Sequence, residues 1–82
     1  MRDTNKRFNI YFWEFDEINQ YNEDCGDFYE RLESGYRDIA DYGTLIDYTD
    51  DEEEANKIAS DTIERNRGEV SIYDTQEKCW FN

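Results

Sequence analysis

The residues of this 82-residue chain that could do chemistry are its carboxylates: 22 Asp and Glu stand against 9 Lys and Arg, with no histidine and a formal net charge of −13. Closely spaced carboxylates hold divalent cations, share protons as acid and base, or reproduce the charge of a phosphate backbone. The densest run is Asp50-Asp51-Glu52-Glu53-Glu54, where Ca²⁺ or Mg²⁺ would collect weakly. A calcium loop needs acids at positions one, three and five before a glycine at six. Gly26 would put Tyr21 first, and Gly43 would put Ala40 third and Tyr42 fifth, so neither fits. Cys25 and Cys79 are widely separated and form no metal-ligand spacing; two free thiols are expected, with Cys79 packed in a strand. No metal and no cofactor is expected.

Catalysis is not expected either. The chain has no histidine base, no glycine-rich phosphate loop, and no serine or cysteine with an evident activating partner. Two carboxylates do acid–base work only when a concave, partly desolvated pocket moves their pKa values apart. A domain of this length buries only roughly 60% of the surface its unfolded chain exposes, which leaves little room for such a pocket.

The elements that must position these carboxylates follow from periodicity. Phe8 to Phe15 is apolar or aromatic at six of eight positions, with Phe8, Ile10 and Phe12 on one face and Tyr11, Trp13 and Phe15 on the other. That pattern predicts a central strand covered on both sides. Asp16 to Gly26 reads as a polar, acidic connection that includes at most a short helical turn. From Asp27 to Tyr42 the spacing is helical: Phe28, Tyr29, Leu32, Tyr36, Ile39 and Ala40 share one arc, and Asp27, Glu30, Glu33, Asp38 and Asp41 the other. Gly35 inside this pattern costs roughly 1 kcal/mol relative to alanine. Arg31 and Arg37, each four residues after an acid, are expected to offset part of the repulsion along the ridge.

Thr44 to Tyr73 reads as strand, capped helix, strand. Thr49 or Asp50 is the expected N-cap, with Thr49 and Glu52 forming a capping box, and Asp51 to Glu54 stabilised by the positive end of the helix dipole. The helix is expected from Ala55 to Arg67, ended by Gly68 as a left-handed cap. Val70 and Ile72 begin a C-terminal hairpin closed by Lys78 to Phe81. The expected fold is therefore α+β, in the order β-α-β-α-β-β, with two helices on one face of a four-stranded, mostly antiparallel sheet. Residues 1–82 form one domain, with 1–6 expected to be flexible. Phe8, Phe12, Phe28, Tyr36, Val70, Ile72 and Phe81 are the expected core. Helices on one face only would leave some of Tyr11, Trp13, Tyr73 and Trp80 exposed, which suggests a homodimer through that sheet face or an apolar patch for a partner.

Counting charge by segment changes its meaning. Glu14 to Glu54 holds 16 acids and 2 arginines, a net of −14, while the rest of the chain is near neutral. Such self-repulsion destabilises a fold, and an evenly solubilised surface would not concentrate it. The expected contact surface combines Asp16, Glu17, Glu23 and Asp24, the ridge of Asp27, Glu30, Glu33, Asp38 and Asp41, and the helix start Asp50, Asp51, Glu52, Glu53 and Glu54. A ridge on about 15 residues of helix extends about 22 Å. Tyr21, Tyr42 and Tyr48 are the expected apolar anchors, because ionic contact alone adds more to association rate than to affinity.

In size, charge and aromatic content the chain resembles the small acidic phage-type inhibitors that mimic DNA, such as anti-restriction and anti-CRISPR proteins. The resemblance implies a stoichiometric inhibitor whose partner is a basic nucleic-acid-binding protein. The alternative is an acidic protein-binding module, an immunity protein or adaptor, that does not compete with nucleic acid. A third reading is a solvated acidic surface with no specific partner. Direct binding to nucleic acid or to an anionic membrane is excluded by repulsion. The basic start Met1 to Arg7 lacks a following apolar core, and no apolar run is long enough to span a bilayer, so a cytoplasmic protein is expected.

Overall fold

A computed structural model describes residues 5–81, apart from the Phe81 side chain. The chain runs β1 (Phe8–Trp13), α1 (Phe15–Asp24), α2 (Phe28–Glu33), a 3₁₀ turn (Asp38–Tyr42), β2 (Thr44–Thr49), α3 (Glu52–Arg65), β3 (Glu69–Asp74) and β4 (Cys79–Phe81). The four strands form one sheet in the order β2-β1-β3-β4, and every adjacent pair is antiparallel. The fold is α+β, and β1 takes the interior position that its two apolar faces require.

Those two faces also decide where the helices go. Phe8 and Ile10 of β1, with Ile72 of β3, pack against Ala55 and Ala59 of α3. Tyr11 and Trp13 of β1, with Tyr73 and Trp80, pack on the other face against Ile18 and Tyr21 of α1, Phe28 and Leu32 of α2, and Ile39 and Ala40 of the 3₁₀ turn. The sheet is therefore covered on both sides, not on one as expected. A strand with large apolar side chains on both faces leaves one row in water unless each face has its own helical layer. Tyr11, Trp13, Tyr73 and Trp80 are all buried, so the exposed sheet face suggested for a homodimer does not exist.

Two further expectations change. The acidic connection after β1 is a ten-residue helix, begun where the Glu14 backbone N–H donates to Glu17 Oε1 at 2.8 Å. The long helix expected from Asp27 to Tyr42 stops at Glu33; Gly35 takes φ +85°, which lets the chain turn sharply before the 3₁₀ turn. Two indoles fasten that turn to the sheet: Trp13 Nε1–H donates to the Ile39 carbonyl at 2.8 Å and Trp80 Nε1–H to the Tyr36 carbonyl at 2.7 Å. Tyr36, expected in the core, is exposed as a result, while Phe12 and Val70 are half-buried. The Phe81 side chain, also expected in the core, lies outside the described residues. Cys79 does sit in a strand, but its side chain is exposed, and both cysteines are free thiols.

The helix start after β2 uses different residues from those expected. Asp51 is the N-cap of α3, accepting from the Glu53 N–H at 3.0 Å, and Thr49 Oγ1 accepts from the Asp51 N–H at 3.1 Å. Asp50 instead accepts from the Arg7 N–H at 2.9 Å and pairs with Lys6 at 3.4 Å. Of residues 1–6, expected to be flexible, 1–4 lie outside the described residues, and Lys6 is held by its pairing with Asp50. Arg7 also clamps Asp74 through Nε and Nη2 at 3.0 and 2.9 Å. At the far end, α3 closes at Arg65 with Asn66 as an extended cap, and Gly68 lies beyond it at the entry to β3.

The clamp makes stability depend on acid. The Arg7 guanidinium holds the Asp74 carboxyl below the usual carboxylate range, and the Arg7 N–H does the same for Asp50. A carboxyl with a lowered folded pKa binds fewer protons than in the unfolded chain. Its contribution is complete above about pH 4 and is lost as pH falls through the folded values. Acid titration of unfolding free energy should therefore fall steeply below about pH 4 in the wild type and less steeply in Asp74→Asn. Equal slopes would remove Asp74 from the acid response.

Candidate functional site

The acidic half of the chain builds one helical layer on the Trp13 face of the sheet. Asp27 caps α2, accepting from the Tyr29 and Glu30 N–H groups at 3.0 and 3.3 Å, and Asn22 Oδ1 accepts from the Phe28 N–H at 2.8 Å. These bonds set α2 directly against the end of α1. Two phenols then cross-link α1 to the 3₁₀ turn: Tyr21 Oη–H donates to Asp38 Oδ1 and Tyr42 Oη–H to Asp24 Oδ2, each at 2.9 Å. The two rings meet edge to face, 5.1 Å between centroids, and Cys25 Sγ lies 3.8 Å from Tyr42 Oη.

This changes the role of two expected anchors. Tyr21 is 0% exposed, so it is a core residue and not a contact residue. Burial, then the bond to Asp38, pushes its phenol up to about 12, which keeps it a neutral donor at any physiological pH. The bond to Asp24, then Cys25, raises Tyr42. Only Tyr48, on the edge strand β2, is an exposed anchor as expected. The apolar surface available on the helical layer is instead Phe15, Tyr29 and Tyr36, at 52%, 49% and 46% exposure.

Within this layer Asp16, Glu23, Asp24, Asp27, Glu30, Glu33 and Asp41 are exposed, and Glu17 and Asp38 are half-buried. The continuous ridge along one long helix does not form, because α2 is only six residues and the acids that follow belong to a turn. The acids of Asp50 to Glu54 are placed elsewhere. They begin α3, which packs on the opposite face of the sheet, so the three expected groups do not merge into one face. The β2 edge, with Asp47 and Tyr48 exposed, runs between the two layers.

The two arginines of the acidic segment are turned to aromatic rings. Arg31 lies 4.9 Å from the Tyr36 ring centroid, and Arg37 lies 3.7 Å from that of Tyr73 and 5.8 Å from that of Trp80. Neither follows the expected helical pairing. Asp27 spends its carboxylate on the helix cap, and the break at Gly35 takes Glu33 and Arg37 off a common helix. A guanidinium over a ring face is attracted by the ring quadrupole and shields apolar surface at the same time.

No protein-family model, curated protein or solved structure matches this chain. Among the described residues, no three Asp, Glu or Cys side chains converge on a point where a metal ion would sit, and no helix is long and apolar enough to cross a membrane. The layer exposes Asp16, Glu23, Glu30, Glu33 and Asp41 to solvent, while Glu17, Asp24, Asp27 and Asp38 accept hydrogen bonds within it.

Proposed function

We propose that this protein is a stoichiometric inhibitor that presents a DNA-like acidic surface to the nucleic-acid-binding groove of a defence or DNA-processing enzyme. The observation that carries the reading is the α1–α2–3₁₀ layer. It gathers nine carboxylates of a segment with net charge −14, and the segment's two arginines lie against aromatic rings. Duplex DNA carries one charge per about 1.7 Å of axis, and α1 alone runs about 15 Å, so rows of fixed carboxylates can stand where phosphates would. Phe15, Tyr29 and Tyr36 supply the apolar contact that charge alone does not. The same three side chains favour the second reading, an acidic protein-binding module that ignores nucleic acid.

The test is capture of a partner from lysate on the immobilised protein, followed by elution with duplex DNA or with a neutral polymer. Selective release by DNA is the expected result. Glu23, Glu30 and Glu33, all exposed, are then changed together to lysine, and Asp61, Glu64 and Glu77 form the control set. Each set moves the formal net charge from −13 to −7, so total charge is held equal. The first set should weaken capture by at least about tenfold and the second by far less. Equal losses would dismiss a localised surface, and a partner that DNA does not displace would favour the second reading.

A further inference from the structure

The chain covers several aromatic rings with its own arginines. Arg7 lies 4.8 Å from the Phe8 ring centroid, Arg31 4.9 Å from that of Tyr36 and Arg37 3.7 Å from that of Tyr73. Among the described residues no cation lies over Phe15 or Tyr29, although both rings are exposed within the acidic layer. Of these two, Tyr29 has carboxylates arranged around it.

Its own helix supplies the first. Glu33, one turn further along α2, is exposed on the same side as Tyr29, whereas Arg31 lies on the opposite side, over Tyr36. The sheet supplies the second. Glu69 pairs with Trp13 between β3 and β1, so both side chains stand on the layer face. The Trp13 ring meets Phe28 edge to face at 5.1 Å, and Phe28 meets Tyr29 in the same way at 5.1 Å, which sets Tyr29 at the Glu69 end of the sheet. Burial, then the charges of Glu69 and Asp27, raise the Tyr29 phenol, in accord with that placement. An exposed ring is thus flanked by one carboxylate from α2 and another from β3.

A ring face and carboxylates together select a guanidinium. The planar cation stacks on the ring while its N–H fork donates to a carboxylate lying in its own plane; an ammonium is a compact, strongly hydrated charge without that fork. We infer that Tyr29, with Glu33 and Glu69, receives an arginine side chain of the partner protein, its guanidinium stacked on the exposed ring and its N–H groups donating to the two carboxylates. The inference rests on the reading of the α1–α2–3₁₀ layer as the contact surface, and it names the partner group that meets it. Charge complementarity fixes the occupant: the segment from Glu14 to Glu54, at net charge −14, draws cations, and Arg31 and Arg37 already adopt the stacked geometry in this same layer. Tyrosine and arginine are also the side chains that most often carry the energy of a protein interface.

The probe is acetyl-Gly-Arg-Gly-amide, titrated into the isotope-labelled full chain at about 0.15 M salt and compared with acetyl-Gly-Lys-Gly-amide. The arginine peptide should give saturable shifts of the Tyr29 ring and of the Glu33 and Glu69 amides, with its own δ-methylene protons moved upfield by the ring. The lysine peptide should bind at least about threefold more weakly. Tyr29→Phe should keep that preference, Tyr29→Leu should abolish it, and Glu69→Gln should weaken both peptides. Glu64→Gln, on the exposed side of α3, should change nothing. Three results would each overturn the inference: equal binding of the two peptides, a preference that survives Tyr29→Leu, or shifts spread evenly over the acidic residues without saturation, as a diffuse counterion atmosphere produces. The titration contains neither DNA nor the natural partner, so its failure would leave mimicry to the elution test. A partner that DNA does not displace would sink mimicry and leave the arginine contact standing.

Discussion

Replacing Trp13 with alanine is expected to cost about 4 kcal/mol of unfolding free energy, which is most of what a domain of this size has. Trp13 is fully buried at the centre of the larger core. Its ring lies 5.1 Å from Phe28 and 5.5 Å from Trp80, both edge to face, and 6.2 Å from Tyr11. It also holds the Ile39 carbonyl, so its loss empties the space under the acidic layer and frees the 3₁₀ turn from the sheet. Trp13→Phe separates the two effects. It keeps most of the ring packing and leaves one buried carbonyl without its donor, for about 1–2 kcal/mol. Urea denaturation measures both, and a loss below about 1 kcal/mol for the alanine variant would contradict the central place given to this side chain.

Gly68→Ala should destabilise by about 3 kcal/mol, an unusually large effect for adding one methyl group. Gly68 has φ +156°, and a Cβ there would run into the Trp13 carbonyl and come within 2.8 Å of the Phe12 ring. The clash is with backbone and with a half-buried ring, so no flexible side chain can move aside. Relief requires β1 and β3 to separate where Trp13 pairs with Glu69. Denaturation with an unchanged dependence on urea, but a midpoint well below that of the wild type, is the expected result. A near-neutral effect would mean that the α3–β3 connection has slack the present geometry lacks.

How much of the candidate site could be read in advance depended on which interactions were local. The acids stood out by counting, and their placement on capped helix starts follows from the chemistry of unpaired N–H groups. The sequence pointed to the start of α3 but not to Asp51 as its cap, because Thr49, Asp50 and Asp51 are all good caps and only the contact of Asp50 with Lys6 and Arg7 separates them. Helix α1 was hidden because only Ile18 and Tyr21 are buried on it, too few to show a period, while Phe15 at its start is exposed. The exposure of Tyr29 and Tyr36 was equally illegible. Both fit the apolar arc of a helix that continues past Gly35; Tyr36 leaves that arc where the chain turns, and in the six-residue α2 only Phe28 and Leu32 are buried, which leaves Tyr29 outside.

By itself the sequence determined the class of fold, the interior position of β1, the strand-helix-strand unit from Thr44 to Tyr73 and the concentration of charge between Glu14 and Glu54. These rest on period, capping and counting, which operate over a few residues. Only the tertiary structure decided that the helices divide between the two faces of the sheet. That division puts Asp50 to Glu54 opposite the other acids, buries Tyr21 and turns Arg31 and Arg37 onto rings. It follows from burying large side chains on both faces of β1 at once, a requirement that joins residues far apart in the chain and has no local signature.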